Sequence, residues 1–316
     1  MFILNLLLGC SACTSCASLD LGEPSAEPSA EPSEPSDEDS GSEDTGEDVV
    51  EGPCPYMEEE PNDSYSNAQY VPMETWFCGD INHQADLDVF EFDFPHNGWL
   101  KVWVRAQELG SSADVLVTLK EGSDIALTTF YLDSTDPTMI VPIQEATTLY
   151  TAVQEQYTSS GDNHFWQAMI TEVKPPIEYD MVEDESEVRN DGMADGVPIE
   201  QEERIFGILD SNFDRDWFLF DLPAGEHELI VDVESNEFGS PADMEIHLYP
   251  PEAMTDPNVN RIALRNNGLN PNSMDPYLKI DVEGEGQWGI MLTSHNNTGS
   301  QFYWYVVDVS AELIEE

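Results

Sequence analysis

Residues 86–95 read Asp-Leu-Asp-Val-Phe-Glu-Phe-Asp-Phe-Pro, and residues 214–223 read Asp-Arg-Asp-Trp-Phe-Leu-Phe-Asp-Leu-Pro. In both stretches, two aspartates one residue apart precede alternating apolar and polar side chains, and a proline ends the run. This pattern is typical of a half-buried β-strand that begins in an acidic turn. Because the stretches are offset by 128 positions (214 − 86), we predict that one kind of domain occurs twice.

Similar runs predict further strands around the first of these stretches. They recur at intervals of about ten residues and are separated by Gly, Pro, Asp and Asn, a spacing typical of β-sandwiches. No long segment repeats its apolar residues with the 3.6-residue period of a helix, so we predict an all-β fold. In the first copy the predicted strands are 76–81, 89–94, 99–105, 115–120, 125–131, 138–143, 149–154 and 165–173.

Composition divides the chain into four regions. Residues 1–18 are predicted to be a signal and lipobox region. Residues 19–53 contain a Glu-Pro-Ser repeat and an acidic run with almost nothing apolar to bury, so we predict a disordered acidic tether. Residues 54–174 and 180–311 are predicted to form two tandem jelly-roll-like β-sandwich domains, joined by the linker Lys174-Pro-Pro-Ile-Glu178.

The first residues indicate export. Leu7-Leu8-Gly9-Cys10 resembles a bacterial lipobox, in which a small residue precedes the cysteine that becomes lipidated. Cys13 is an alternative lipidation site. Several acyl chains on one cysteine anchor a protein stably to a membrane. We therefore expect a lipid-anchored protein of the bacterial cell envelope or surface; the alternative is an ordinary cleaved signal and a secreted protein.

The charge of the chain limits its partners. Ten basic residues face 65 acidic ones, which gives a net charge of −55. We expect no nucleic acid partner, because binding to nucleic acid depends on Lys and Arg side chains that displace counterions. Divalent cations or a saline medium suit this charge better, and solubility in salt is the simplest explanation for it.

Cys54 and Cys78 are predicted to form a disulfide, because exported proteins fold under oxidising conditions. Adding the offset of 128 to these two positions gives Val182 and Phe206, so we expect an apolar contact in their place in the second copy. The alternative is a pair of buried free thiols.

The order of acidic motifs resembles a known family. Glu58-x-Glu60-Pro-Asn62-Asp63, then Gly79, then Asp86-x-Asp88-x-Phe90, is similar to the bacterial pre-peptidase C-terminal domain, a jelly-roll-like β-sandwich attached to secreted peptidases and surface proteins. The resemblance implies calcium binding by the first acidic segment and the acidic turn. The implied ligands are Glu58, Glu60, Asn62, Asp63, Asp86 and Asp88.

This set of residues is chemically suited to calcium, which prefers six to eight hard oxygen ligands. The alternative is structural: Asn62 and Asp63 cap a turn, and Asp86 and Asp88 accept hydrogen bonds from backbone amides. The second copy keeps the asparagine and the aspartates, but its two glutamates are spaced differently from the asparagine, and Arg215 stands between the paired aspartates. The candidate ligands there are Glu185, Glu187, Asn190, Asp191, Asp214 and Asp216.

No catalytic motif is found in the sequence. The six histidines form no His-Glu-x-x-His, and there is no Gly-x-Ser-x-Gly. We therefore expect no enzyme, but a surface protein whose sandwiches bind an extracellular glycan or protein, with calcium as a stabilising ion. The alternatives are a structural envelope lipoprotein without a specific ligand and an accessory part of a secreted hydrolase or peptidase system.

Aromatic residues are the candidates for that binding surface. Trp99, Trp103, Trp166 and one alternating pair from residues 302–305 are the candidates for a stacking surface for a glycan or peptide. Aromatic residues in such positions more often simply cover a sheet, and this is the interpretation that we prefer.

Overall fold

The structure is a computed structural model that describes residues 54–128, 136–157, 159–183, 189–256, 258–266 and 274–314. These residues belong to one compact unit, Gly52–Glu316. The predicted lipobox with Cys10 and Cys13, the acidic tether, and the candidate ligands Glu185 and Glu187 lie outside the described residues. Within the described part of the chain, no helix has the length and apolar character needed to cross a membrane.

Among the residues that the structure describes, ten strands form the first sandwich. One sheet has the strand order β1-β3-β10-β5-β8 and the other has the order β2-β4-β9-β6-β7. The strands are β1 (Tyr56–Met57), β2 (Gln69–Tyr70), β3 (Phe77–Asp80), β4 (Leu87–Phe94), β5 (Gly98–Arg105), β6 (Val115–Glu121), β7 (Asp124–Thr128), β8 (Thr138–Ile143), β9 (Thr147–Glu155) and β10 (Phe165–Val173).

Ten further strands form the second sandwich. Its sheets have the orders β11-β13-β20-β15-β18 and β12-β14-β19-β16-β17, so the topology of the first sandwich is repeated strand for strand. The strands are β11 (Met181–Val182), β12 (Val197–Pro198), β13 (Ile205–Ile208), β14 (Asp216–Leu222), β15 (Glu226–Glu234), β16 (Met244–Tyr249), β17 (Ala263–Arg265), β18 (Tyr277–Glu283), β19 (Gly286–Ser294) and β20 (Trp304–Leu313).

The prediction of an all-β fold is therefore confirmed. The helices among the described residues are one-turn 3-10 helices: Gln107–Leu109, Met193–Asp195, Asn236–Phe238 and Pro251–Met254. Alternation along the strands builds the core, as Phe90, Phe92 and Phe94 of β4 point inward and are fully buried. Burial of one such side chain contributes about 1.5–3 kcal/mol.

The two sandwiches pack against each other through a separate apolar cluster, which contains Trp99, Ile177, Phe206, Trp304 and Val306. The rings of Trp99 and Trp304 meet edge to face with centroids 5.1 Å apart. The indole nitrogen of Trp304 donates a hydrogen bond of 2.6 Å to the carbonyl oxygen of Ile140. The predicted linker contributes to this cluster, since its Ile177 side chain is buried.

The structure therefore confirms, for most of these aromatic residues, that they cover the sheets and do not form a stacking surface. Trp99 lies between the sandwiches, Trp166 lies in the core of the first, and residues 302–305 are all buried. Trp99 of β5 and Trp304 of β20 face outward from their own sandwiches and are covered because the two sandwiches meet there. Of the predicted stacking residues, Trp103 alone remains partly exposed.

The structure contains the predicted disulfide between Cys54 and Cys78, whose Cα atoms are 6.1 Å apart. The expected counterpart in the second copy is wrong in register. Val182 pairs with Phe206 as Met57 pairs with Cys78, so Val182 corresponds to Met57 and not to Cys54. Its side chain is 55% exposed, and Phe206 packs into the cluster between the sandwiches instead.

Candidate cation site in the first sandwich

A lead-in segment (residues 58–63) carries the first group of candidate ligands onto the sandwich. The amide of Glu58 donates to the carbonyl of Cys78 at 2.8 Å, which continues the pairing of β1 with β3. Further along, the amide of Val89 donates to the carbonyl of Asn62 at 3.2 Å. The lead-in segment is thus fixed across the start of β4, next to the acidic turn.

The half-buried Glu58 and the fully buried Asp88 form a carboxyl pair at this point. Glu58 Oε1 accepts a hydrogen bond of 2.8 Å from the amide of Asp80, and Asp88 Oδ2 accepts one of 3.0 Å from the indole nitrogen of Trp166. Their other oxygens, Glu58 Oε2 and Asp88 Oδ1, are buried and receive no hydrogen bond from an amide, indole or hydroxyl group among the described residues, and the two carboxyl groups hydrogen-bond to each other only when one of them carries a proton.

The pKa values of both carboxyl groups are raised, because burial disfavours their charged forms. Burial, and then the neighbouring carboxyl group of Glu58, raises the pKa of Asp88 from its usual 3.8 to about 9. Burial is also the main cause that raises the pKa of Glu58. Without a positive ion, Asp88 therefore keeps its proton at neutral pH.

Asp86 adds a third buried carboxylate. Its Oδ2 accepts a hydrogen bond of 2.7 Å from the amide of Asn82, and its Oδ1 lies 3.4 Å from Nε2 of the exposed His83. The backbone carbonyl of Gln84 and then the charge of Asp86 raise the pKa of His83. Among the described residues, Asp86 Oδ1 therefore has one weak contact, with the imidazole of His83.

Asn62 and Glu60 complete the cluster. Asn62 is fully buried, and neither its side-chain oxygen nor its side-chain nitrogen has a hydrogen-bond partner among the described residues. Glu60 Oε2 accepts a hydrogen bond of 3.1 Å from the amide of Asn62. Carboxylate oxygens of Glu60, Asp86 and Asp88 lie within 4.8 Å of one another.

This donor set fits calcium. Calcium binds oxygens at about 2.3–2.6 Å, so two ligands on opposite sides of the ion are about 4.8 Å apart. Carboxylates and one amide oxygen are the ligand types that it prefers. Asp63 belongs to the exposed margin of the site, where it lies with His83 and Asp86 in a group of the same dimension.

The second sandwich has a tyrosine, Tyr305, at the position equivalent to Trp166, since it pairs with Gly207 as Trp166 pairs with Gly79. The Tyr305 hydroxyl lies 2.6 Å from Asp216 Oδ2 and 3.1 Å from Glu183 Oε2. Asn190 donates its side-chain amide to Glu183, and Asp214 Oδ2 accepts a hydrogen bond of 2.6 Å from the amide of Asp210. Burial and the two carboxylates hold the pKa of Tyr305 well above its usual value, so its hydroxyl remains a donor.

Glu183 is the residue that the sequence analysis missed. It follows Val182 as Glu58 follows Met57, and its amide donates to the carbonyl of Phe206 at 2.8 Å, as Glu58 does to Cys78. Of the other predicted residues, Asn190, Asp214 and Asp216 are buried at the cluster. Asp191 is exposed and lies 3.8 Å from Arg189.

Glycine makes room for the glutamate in both sandwiches. A Cβ atom on Gly79 would lie 2.1 Å from Glu58 Oε2 and 2.5 Å from the Trp166 ring. A Cβ atom on Gly207 would lie 2.3 Å from the Tyr305 hydroxyl oxygen and 2.5 Å from Glu183 Oε2. Any larger residue would push the carboxylate away from β4 or β14.

No protein-family model and no curated protein matches the sequence. Among solved structures, the pre-peptidase C-terminal domain of the Bacillus anthracis collagenase has 11% identity and a TM-score of 0.28, covering 33% of this chain and 93% of that domain. The periplasmic inhibitor of g-type lysozyme from Aeromonas hydrophila has 14% identity and a TM-score of 0.29, covering 37% and 96%.

A third similar structure also contains two modules in tandem. It comprises the family 51 carbohydrate-binding modules of a family 98 glycoside hydrolase from Streptococcus pneumoniae. Its identity is 12% and its TM-score 0.24, and the match covers 77% of this chain and 85% of that one. These scores describe a distant likeness between β-sandwich proteins.

Proposed function

We propose that this chain is a non-catalytic, exported binding protein in which calcium fixes the lead-in segment to the first sandwich. The observation that carries the proposal is the group of buried oxygens at Glu58, Asn62, Asp86 and Asp88, which receive no hydrogen bond from an amide, indole or hydroxyl group in the described part of the chain. Leaving buried polar atoms unpaired costs about 1–3 kcal/mol each. A calcium ion satisfies several of them at once and balances their charge.

The placement of the aspartates supports a structural role for the ion. Asp86 and Asp88 are 2% and 0% exposed, so they are not available to exchange protons with a substrate in solvent. Their oxygens face the lead-in segment, which carries Glu60 and Asn62. The bound ion therefore acts as a clamp between this segment and β4.

Binding of an extracellular polymer or protein is the task that we assign to the clamped unit. The motif Leu7-Leu8-Gly9-Cys10 supports attachment to a membrane through a lipid. The packing of Trp99 against Trp304 holds the two sandwiches together, so they present their outer faces as one body.

Thermal unfolding in calcium and in chelator tests the clamp. For the wild-type protein we expect calcium at about 100 times its Kd to contribute ~2.7 kcal/mol and to raise Tm by roughly 5–10 °C. Asp88→Asn should remove this shift. Its Tm in chelator should stay near that of the wild type, because an amide resembles the protonated carboxyl group that Asp88 carries there.

The matched control is Asp216→Asn in the second sandwich. It changes the equivalent position, where the Tyr305 hydroxyl contacts both Asp216 and Glu183, so the calcium shift should persist. Equal melting of the wild-type protein in calcium and chelator would contradict the clamp and favour a purely structural protein without a specific ion.

A further inference from the structure

The outer face of the first sandwich carries four side chains that we call the cationic indole array: Trp76, Lys101, Trp103 and Arg105. Lys101, Trp103 and Arg105 alternate along β5 and therefore project from the same face. The rings of Trp76 and Trp103 are 5.2 Å apart. Lys101 Nζ lies 4.7 Å from the centre of the Trp103 ring, and the Arg105 guanidinium lies 5.4 and 5.5 Å from the two indoles.

The members of the array differ in their availability. Arg105 is buried and forms two hydrogen bonds with Glu108, so it supports the indoles from below. Trp76, Lys101 and Trp103 are partly exposed. Within the described part of the chain, no carboxylate lies within 4.0 Å of Lys101 Nζ, so the charge of Lys101 is uncompensated at the surface.

Comparison with the second sandwich shows that the fold does not require this array. The strand registers place Arg204, Ile230, Asp232 and Glu234 at the four equivalent positions. There Arg204 forms an ion pair with Glu234, and the middle of the face carries an aspartate instead of an indole. Only ten residues of the chain are basic, yet two of them lie beside Trp103.

We propose that the cationic indole array binds an anionic polysaccharide, with a carboxylate or sulfate group on Lys101 and sugar rings against Trp103 and Trp76. This inference rests on the proposed binding function and names its ligand class. Alternating side chains on one strand make a flat band, which suits a polymer lying along the surface. An extended peptide is more commonly bound at a sheet edge.

The net charge of −55 does not prevent such binding in saline conditions. At about 0.15 M salt the Debye length is ~8 Å, so acidic groups farther away are largely screened. The exposed ammonium group and the indoles then determine the local interaction. Attraction between a cation and an indole face also keeps Lys101 above Trp103 when no ligand is present.

The test is affinity electrophoresis of the whole chain at about 0.15 M salt, with polygalacturonate and heparin as the anionic polysaccharides. Dextran is the neutral polysaccharide and polyglutamate the acidic polypeptide. We expect polygalacturonate or heparin to retard the wild-type protein, and dextran and polyglutamate not to. The variants Trp103→Ala and Lys101→Glu should each weaken the interaction about tenfold.

Trp103→Ala removes a large side chain and can disturb the fold. Lys101→Glu changes only a partly exposed charge, so weaker binding by this variant is due to the lost cation and not to a folding defect. The control is Tyr70→Ser, whose side chain is 56% exposed on a strand of the other sheet, and it should bind like the wild type. The proposal is overturned if neither anionic polysaccharide retards the protein, if polyglutamate retards it equally, or if the array variants bind as the wild type does.

The calcium shift in Tm, measured on the same samples, separates this inference from the proposed function. A protein that keeps the calcium shift and is retarded by dextran alone remains a binding protein, but its ligand is not anionic and the inference fails. Loss of the calcium shift in the wild type, with array-dependent retardation intact, removes the clamp and leaves the array proposal standing.

Discussion

The two sandwiches have the same strand order and the same pair of buried aspartates, but they satisfy those aspartates differently. In the first, Trp166 donates one hydrogen bond to Asp88, and several buried oxygens receive no hydrogen bond from an amide, indole or hydroxyl group of the residues that the structure describes. In the second, Tyr305 occupies the position equivalent to Trp166 and brings its hydroxyl between Asp216 and Glu183. The two clusters thus differ in the donor that faces the second aspartate, which is an indole nitrogen in the first sandwich and a hydroxyl shared with Glu183 in the second, while each keeps a buried asparagine oxygen without a hydrogen bond among the described residues.

The outer faces differ in the same way. The first sandwich has Trp103 beside Lys101 and Arg105. At the equivalent positions the second sandwich has Asp232 beside an ion pair of Arg204 and Glu234. One scaffold thus presents a cationic aromatic surface and an acidic one. We infer that the first sandwich is the specialised copy for both the ion and the ligand.

Removing the disulfide, which only the first sandwich has among the described residues, should cause the largest loss in the free energy of unfolding. The bond closes a loop with a sequence separation of 24 residues, and the chain-entropy estimate for that length is about 3 kcal/mol. Cys54→Ser with Cys78→Ser should lower the free energy of unfolding by this amount in urea titrations, and should weaken calcium binding because Cys54 precedes the lead-in segment. A loss below about 1 kcal/mol would show that strand pairing alone holds β1 in place, as it holds β11.

Tyr305→Phe should have an intermediate effect. It leaves two buried carboxylates without their shared hydroxyl, which costs about 2 kcal/mol. Chemical denaturation should show the same loss in calcium and in chelator. The control Tyr70→Phe, at an exposed site, should change stability by less than about 0.5 kcal/mol. A Tyr305→Phe variant as stable as the wild type would mean that the second cluster is satisfied by other groups.

Asp232→Asn should have the smallest effect and should depend on pH. Burial and then the charge of Glu234 raise the pKa of Asp232 from 3.8 to about 6. A raised folded-state pKa means that the stabilising contribution is present below the unfolded pKa and is lost as the pH rises through the folded value. The variant should therefore be more stable than the wild type at neutral pH, by at most ~1 kcal/mol after solvent screening.

Urea titrations at about pH 4.5 and about pH 7.5 check this sign. The difference between Asp232→Asn and the wild type should be clear at the higher pH and should shrink at the lower one. A difference of equal size at both values would show that Asp232 is not perturbed by its acidic neighbours.

Much of the fold could be predicted from the sequence because alternation is a local signal. The predicted strands 138–143 and 165–173 match β8 and β10, and the prediction 89–94 differs from β4 (Leu87–Phe94) by two residues at its start. The acidic turn and the lead-in segment of the first sandwich also come together, as the resemblance to the pre-peptidase C-terminal domain implied, because Asn62 is hydrogen-bonded to Val89 of β4.

Other features depend on contacts that no local pattern reveals. Glu58 is four residues before Asn62, whereas Glu183 is seven before Asn190, so a fixed offset of 128 could not find Glu183. Outward positions such as Trp99 look exposed on a single sandwich. They are buried only because the second sandwich packs there through Trp304, and this contact joins residues far apart in the sequence.

The central claim is that only the first of two equivalent acidic clusters binds calcium, and the most direct test is its stoichiometry by isothermal titration calorimetry. We predict one calcium ion per chain for the wild-type protein, one for Asp216→Asn and none for Asp88→Asn. A stoichiometry of two, or loss of binding in Asp216→Asn with binding kept in Asp88→Asn, would contradict the claim, as would no binding to the wild type.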